Sequence, residues 1–213
     1  MPATFRVLGL CALLLLPGCA AISTLTQSSR PLDIYDLRPP DLPPVGSAGR
    51  NLEVVIEEPS TGGALATDRI MIRPGPLQAQ YLPGARWADP APAMLQTLLL
   101  RSVLVTGAVD SAGRRPVGGS ADYAVLSELT DFQAEIAPAT GATTIRLGLI
   151  VRLVRERDAE VVATRTFTVA QPAPAPETAP VVAAFDVATR RLLSEAVPWI
   201  LSAIRGAGPA GGA

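Results

Sequence analysis

The sequence predicts an α+β domain: a mostly antiparallel sheet with two amphipathic helices packed on one face, a two-layer sandwich. Three observations lead there. Apolar and polar residues alternate with a period of two in several separate runs, most cleanly from Thr143 to Arg155. Two longer stretches, one opening at Asp89-Pro90 and one at Val181, change to a helical period. Proline- and glycine-rich segments punctuate the chain between these elements.

The chain begins with a targeting segment. Arg6 supplies a positive flank, Val7 to Leu16 a short apolar run, and Leu16-Pro17-Gly18-Cys19 a lipoprotein processing box. A membrane span needs about 20 apolar residues, and Pro17-Gly18 interrupts this run well before that. Residues 1–18 therefore read as a signal peptide. Cys19 becomes the new amino terminus, carrying a diacylglycerol and an N-acyl chain on a thiol and amine suited to them. Residues 19–31 form a small, polar tether. Ala20 after the cysteine is not an inner-membrane retention aspartate, which points to the outer membrane rather than the inner.

Residues 32–205 make up one domain. Leu32 to Leu37 alternates as a first strand, and Pro39 to Arg50 is an irregular connection. Asn51 to Glu57 reads as a strand stopped by Pro59, with a glycine-containing loop from Ser60 to Ala66. Asp68 to Arg73 and Gln78 to Leu82 form a hairpin across Pro74-Gly75-Pro76. Asp89 is the expected N-cap of the first helix, with Pro90 at its first position and Gly107 at its C-cap. Met94, Leu95, Leu98, Leu99, Ser102 and Val103 share one face of that helix.

Asp110 to Ser120 reads as a loop. Ala121 to Gln133 is a strand whose alternation slips near Val125-Leu126, as a bulge or burial on both faces would cause. Ile145, Leu147, Leu149, Val151 and Leu153 define one face of the next strand; Arg146 and Arg152 lie on the other. Arg157-Asp158-Ala159 turns the chain into Val161 to Val169, with threonines 164, 166 and 168 on one side. Gln171 to Pro180 is a proline-rich crossover. The second helix spans Val181 to Ile204, its apolar face built from Phe185, Ala188, Leu192, Ala196, Trp199 and Ala203, with a kink expected at Pro198. Residues 206–213 are a glycine-rich tail.

Composition excludes several function classes. Net charge is −1, so no basic field awaits nucleic acid or anionic lipid. The chain has no histidine, which removes the commonest general base and metal ligand. Of the two cysteines, Cys11 leaves with the signal and Cys19 is the anchor, so no disulfide is expected. Aromatic residues make up only 4% against 48% hydrophobic, which assigns burial to alanine, valine and leucine.

No catalytic constellation is present, and no metal site or cofactor is expected. Glu57, Asp122 and Glu128 are the carboxylates an enzyme reading would test first, but scattered carboxylates on strands are ordinarily solvated. Tyr81, Arg86 and Trp87 stand together in an otherwise aromatic-poor chain, and these residue types anchor protein interfaces. Trp87 also fits a structural role as the staple at the start of the first helix.

The order of short motifs resembles a known family. After the processing box come Tyr35-Asp36-Leu37, Val54-Val55-Ile56 with Pro59, Asp68-Arg69-Ile70-Met71-Ile72-Arg73, and Tyr81 followed by Arg86-Trp87-Ala88-Asp89. Ala121-Asp122-Tyr123, the strand pair to Phe167, and Ala184-Phe185-Asp186 with Trp199 follow. Over roughly residues 32–204 this is similar to the ABC-type transport auxiliary lipoproteins, the PqiC-like, MCE-associated group.

The resemblance implies a non-enzymatic accessory protein. Its partners would be an MCE-domain protein and an ABC permease and ATPase. Together they would move phospholipid or other hydrophobic molecules between the membranes of a Gram-negative cell. The domain would face the periplasm on its lipid anchor, and self-association into a ring would fit an end-piece for a tubular MCE assembly. The alternative is a pilotin-like lipoprotein that assembles or stabilises an outer-membrane complex. If the domain holds lipid itself, an apolar groove between helix and sheet is the expected place.

Overall fold

The computed structural model describes residues 31–46, 52–117 and 119–207. The signal segment, Cys19, most of the tether and nearly all of the glycine-rich tail lie outside the described residues. The chain divides into two compact units between Asp33 and Ile34, and nearly all described residues belong to the second.

The strands are β1 (Asp33–Tyr35), β2 (Glu53–Ile56), β3 (Ser60–Thr61), β4 (Arg69–Gly75), β5 (Gln78–Trp87), β6 (Ser111–Gly113), β7 (Tyr123–Ile136), β8 (Thr143–Arg155) and β9 (Glu160–Pro172). The helices are α1 (Ala91–Val105), between β5 and β6, and α2 (Thr178–Gly206), after β9. The α+β class holds.

β7 is the spine of the sheet. One edge pairs antiparallel with β8 from Tyr123↔Arg155 to Ile136↔Thr143, and β8 pairs antiparallel in turn with β9. The other edge is taken by a single stretch of chain in three steps. β2 runs parallel to it at Val54↔Tyr123, β3 at Ser60↔Glu128, and β4 at Met71↔Gln133. β6 joins β2, also parallel, and β4 turns back into β5. The sheet is therefore mixed, whereas the sequence reading expected mostly antiparallel strands. The physical reason is non-local. A strand's alternation reports which face it buries, not which way its partner runs. β3 and β6 pass for loop in the sequence because two or three residues cannot show a period.

The inward residues of the long strands and the helices share one core. Ile145, Leu149, Val151 and Leu153 of β8 are fully buried, with Leu95, Leu98 and Leu99 of α1 and Phe185, Leu193, Val197 and Ile200 of α2. Trp87 lies edge-on to Phe185 at 5.2 Å and to Phe132 at 5.8 Å; the two phenylalanines are 5.3 Å apart. This trio joins β5, β7 and α2. At the far end of α2, Trp199 stands against Phe167 of β9 at 5.6 Å.

Three local expectations change. Pro90, not Asp89, occupies the N-cap of α1, and no side chain caps it. The Ala91 amide instead donates to the Thr67 carbonyl at 3.1 Å, which relieves an orphan donor of the first turn without a carboxylate. At the other end Thr106 is the C-cap, its hydroxyl donating to the Val103 carbonyl at 2.6 Å, and Gly107 follows with φ +61°. α2 starts at Thr178, because Pro180 falls in the first turn, where a missing N–H breaks no internal bond. The helix is continuous through Pro198.

The slip near Val125-Leu126 is burial on both faces. Val125 is in the main core, while Leu126 packs on the opposite face beside Ala124, Val55, Ala121 and Val154. The bulge lies further on, between Leu129 and Asp131, which face Leu149 and Gly148.

Candidate functional site

The sequence singled out Tyr81, Arg86 and Trp87 as an interface candidate. All three lie on β5, but not on one surface. Arg69 faces Arg86 and Met71 faces Tyr81, so β5 spends more residues than β4 over the same length. Leu82–Ala85 on β5 stand opposite Ile70 alone on β4. Gly84 adopts φ +72°, a conformation that suits glycine, and the excursion leaves Pro83 exposed while turning Leu82 and Ala85 into the core.

Beyond that excursion Trp87 is 0% exposed. It belongs to the aromatic trio and is not offered to a partner. Tyr81 and Arg86 remain at the surface. The Tyr81 hydroxyl donates to the Ala64 carbonyl at 3.2 Å, and the Arg69 guanidinium lies 5.6 Å over its ring. Arg86 Nη1 donates to Asp68 Oδ2 and to the Trp87 carbonyl, each at 3.2 Å. The patch is thus a tyrosine with two arginines and one aspartate, fixed by the β3–β4 connection behind it.

A second constellation escaped residue-level reading. Asp186, buried within α2, accepts from the Arg38 amide at 3.0 Å and from Arg38 Nη2 at 2.9 Å. Arg190 Nε, one turn along, stands 3.2 Å from the same carboxylate. Asp186 keeps the Arg38 guanidinium protonated more firmly than an isolated arginine, first through the hydrogen bond and then through its charge. The signal was present: a carboxylate inside the buried stripe of a helix requires a cation or donor from another element.

This clamp holds the strap from Leu37 to Gly46. Leu37 is buried, and further on the Val45 amide donates to the Thr106 carbonyl at 2.8 Å. The strap thereby ties the entry of the domain to both helices. A recess of about 340 Å³ lies beside it, lined by Tyr35, Leu37, Arg38, Val182 and Asp186 among others. Replacing Asp186 with alanine is expected to release the strap while leaving the sheet folded. Hydrogen exchange at Leu37 and Arg38 should quicken by at least about tenfold, the scale of a lost charge-assisted bond. Unchanged protection there would refute the clamp.

The remaining carboxylates do not converge. Glu57 and Glu58 are exposed at the end of β2. Asp122 Oδ2 accepts from the Glu53 amide at 2.8 Å, and Glu128 sits 4.0 Å from Arg152. Among the described residues no group of three acidic, cysteine or histidine side chains could hold a metal ion. No helix among them is long and apolar enough to cross a membrane.

The model of the family described as the ABC-type transport auxiliary lipoprotein component matches residues 35–197. The chain is 31% identical over 175 residues to an uncharacterized protein of Bradyrhizobium diazoefficiens. That stretch covers 80% of this chain and 45% of the relative, so the chain spans less than half of the relative's length. A crystal structure of a Xanthomonas campestris protein of the DUF330 family superposes with a TM-score of 0.70 at 29% identity, covering 82% of this chain and 98% of that one. A second crystal structure, of an uncharacterized protein, shares the fold at a TM-score of 0.61 and 15% identity, over 80% of this chain and 99% of that one.

Proposed function

The chain belongs to the ABC-type transport auxiliary lipoprotein family, and from that premise we propose that it is the lipid-anchored accessory of an ABC transporter working with an MCE-domain protein. It would stand on Cys19 at the periplasmic face of the outer membrane. Its task would be to receive or dock the assembly that carries phospholipid or other hydrophobic molecules between the membranes. No chemistry of its own is required for that task.

One observation carries the reading. The family match runs from Tyr35, the last residue of β1, into α2 at Val197, so it takes in nearly the whole folded domain rather than a shared fragment. The processing box at Cys19 supplies the anchor that a lipoprotein component needs. Tyr81 and Arg86 are the surface we assign to partner docking, since tyrosine and arginine give large contact area and directed hydrogen bonds.

The test is an affinity pulldown of the acylated protein from detergent-solubilised envelopes, with mass spectrometry of proteins and lipids. Recovery of an ABC permease or ATPase together with an MCE protein is the expected result. Recovery of a secretin or barrel protein without them would replace this reading with the assembly-factor one.

A further inference from the structure

Two hairpin tips meet at one end of the sheet, the β4–β5 turn at Pro76-Leu77 and the β7–β8 turn from Ala137 to Ala142. Between them lies a cavity of about 520 Å³, within the size range of small-molecule sites. Ile136, Pro138 and Ala142 give it an apolar wall, while Arg73, Glu135, Thr144 and Arg146 supply the polar groups. The register explains the convergence. Arg73 faces Glu135 and Glu135 faces Thr144, so three neighbouring strands project these side chains from the same face, with Arg146 two residues along β8.

The charges there do not cancel locally. Glu135 Oε2 is engaged by Arg146 Nε at 2.5 Å. Arg73 is half-buried, and among the described residues it makes no hydrogen bond or ion pair. One uncompensated guanidinium therefore stands at the mouth of an apolar-walled recess. Next in sequence to the lining residue Pro76, Leu77 at the hairpin tip has 98% of its surface exposed. A cation with five donors next to an apolar surface matches an amphiphile whose polar end is a phosphate ester.

We propose that this cavity binds the phosphate ester of an amphiphilic lipid, with Arg73 on the phosphate and the Ile136, Pro138 and Leu77 surfaces against the adjoining acyl chains. The proposal rests on the transport reading for the source of the ligand; its chemistry stands on the cavity alone.

The test is calorimetric titration of the full acylated chain in nonionic micelles. The probes are dihexanoyl phosphatidylglycerol, dihexanoylglycerol with the same tails and no phosphate, and glycerol phosphate with no tails. Saturable binding of the phosphatidylglycerol is expected, weakened at least about tenfold by Arg73→Gln, the scale of one lost guanidinium–phosphate contact. Ala142→Phe, which fills the wall without touching the charge, should weaken it similarly. Near-ultraviolet circular dichroism of both variants should match the parent. Equal affinity for dihexanoylglycerol, equal affinity for glycerol phosphate, or indifference to both substitutions would each overturn the proposal. Copurification of the permease by a protein that binds no phosphatidylglycerol overturns the cavity but not the transport reading. Binding without that copurification does the reverse.

Discussion

Replacing Trp87 with alanine is expected to destabilise the domain by about 3–5 kcal/mol, the range for deleting a buried aromatic side chain. The indole is 0% exposed and is held edge-on by Phe132 and Phe185, so truncation removes transfer free energy and leaves a void between three elements. Urea unfolding followed by far-ultraviolet circular dichroism measures the effect. A loss below about 1 kcal/mol would mean that the site relaxes freely, contrary to close packing around the ring. Tyr81→Ala, on the same strand but 40% exposed, should shift the midpoint far less.

Gly148→Val is expected to cost about 1–3 kcal/mol, because it overpacks the bulge of β7. A Cβ at that position would lie 2.3 Å from the Thr130 hydroxyl and 2.7 Å from Asp131 Oδ2. Those two oxygens belong to a short network. Thr130 donates to Asp131 at 3.0 Å, Gln133 Nε2 donates to Asp131 at 2.9 Å, and the Phe132 amide donates to Gln133 Oε1 at 2.9 Å. Pushing Asp131 aside loosens the turn that aims Phe132 at Trp87. Urea unfolding of Gly148→Val measures the loss, and Gly148→Ala alone and in a Thr130→Ala background separates the causes. The double variant should recover part of the loss, since the nearest obstructing atom is gone while Asp131 Oδ2 stays 2.7 Å from the new Cβ. If it does not, the glycine is required for some reason other than that contact.

The same bulge shows what the sequence could and could not reveal. β8 was legible over its whole observed length, because five apolar residues recur at every second position from Ile145 to Leu153 and form its core face. β7 was legible as a strand, and of the two causes the sequence offers for the slip near Val125-Leu126, burial on both faces is the one the structure has. A small cluster around Val55, Ala124 and Leu126 buries the outer face there, and two-sided burial breaks alternation as a bulge does. The true bulge at Thr130 does leave a mark: Leu129 and Phe132, both in the core, stand three residues apart with two polar residues between them, which breaks a period of two.

The β4–β5 hairpin was legible from its turn residues, but long-range pairing partners were illegible for a different reason. Nothing local in Val54-Val55-Ile56 states that its neighbour is Tyr123 to Val125, or that the two run parallel. The candidate site was readable by residue type and not by exposure. Tyr81, Arg86 and Trp87 were grouped by adjacency, and the Leu82–Ala85 excursion then divided them between surface and core. Asp186 could have been found as an acid in an apolar stripe; its partner Arg38 could not, because 148 residues separate them.

The spine strand also sets an order of events in folding. β8 reaches β7 through the short turn between Ile136 and Thr143, and β9 follows through another, so this meander closes at small entropic cost. β2 must find the same strand across 69 residues, the separation of the Glu53 amide from the Asp122 carboxylate that receives it. A chain that is synthesised or exported amino end first makes β2 and β4 early and gives them partners late. Until β7 has emerged, Val54, Ile56, Ile70 and Met71, all buried in the finished domain, lack the strand on which β2 and β4 pair. The first half of this chain is therefore the half most in need of a holding chaperone.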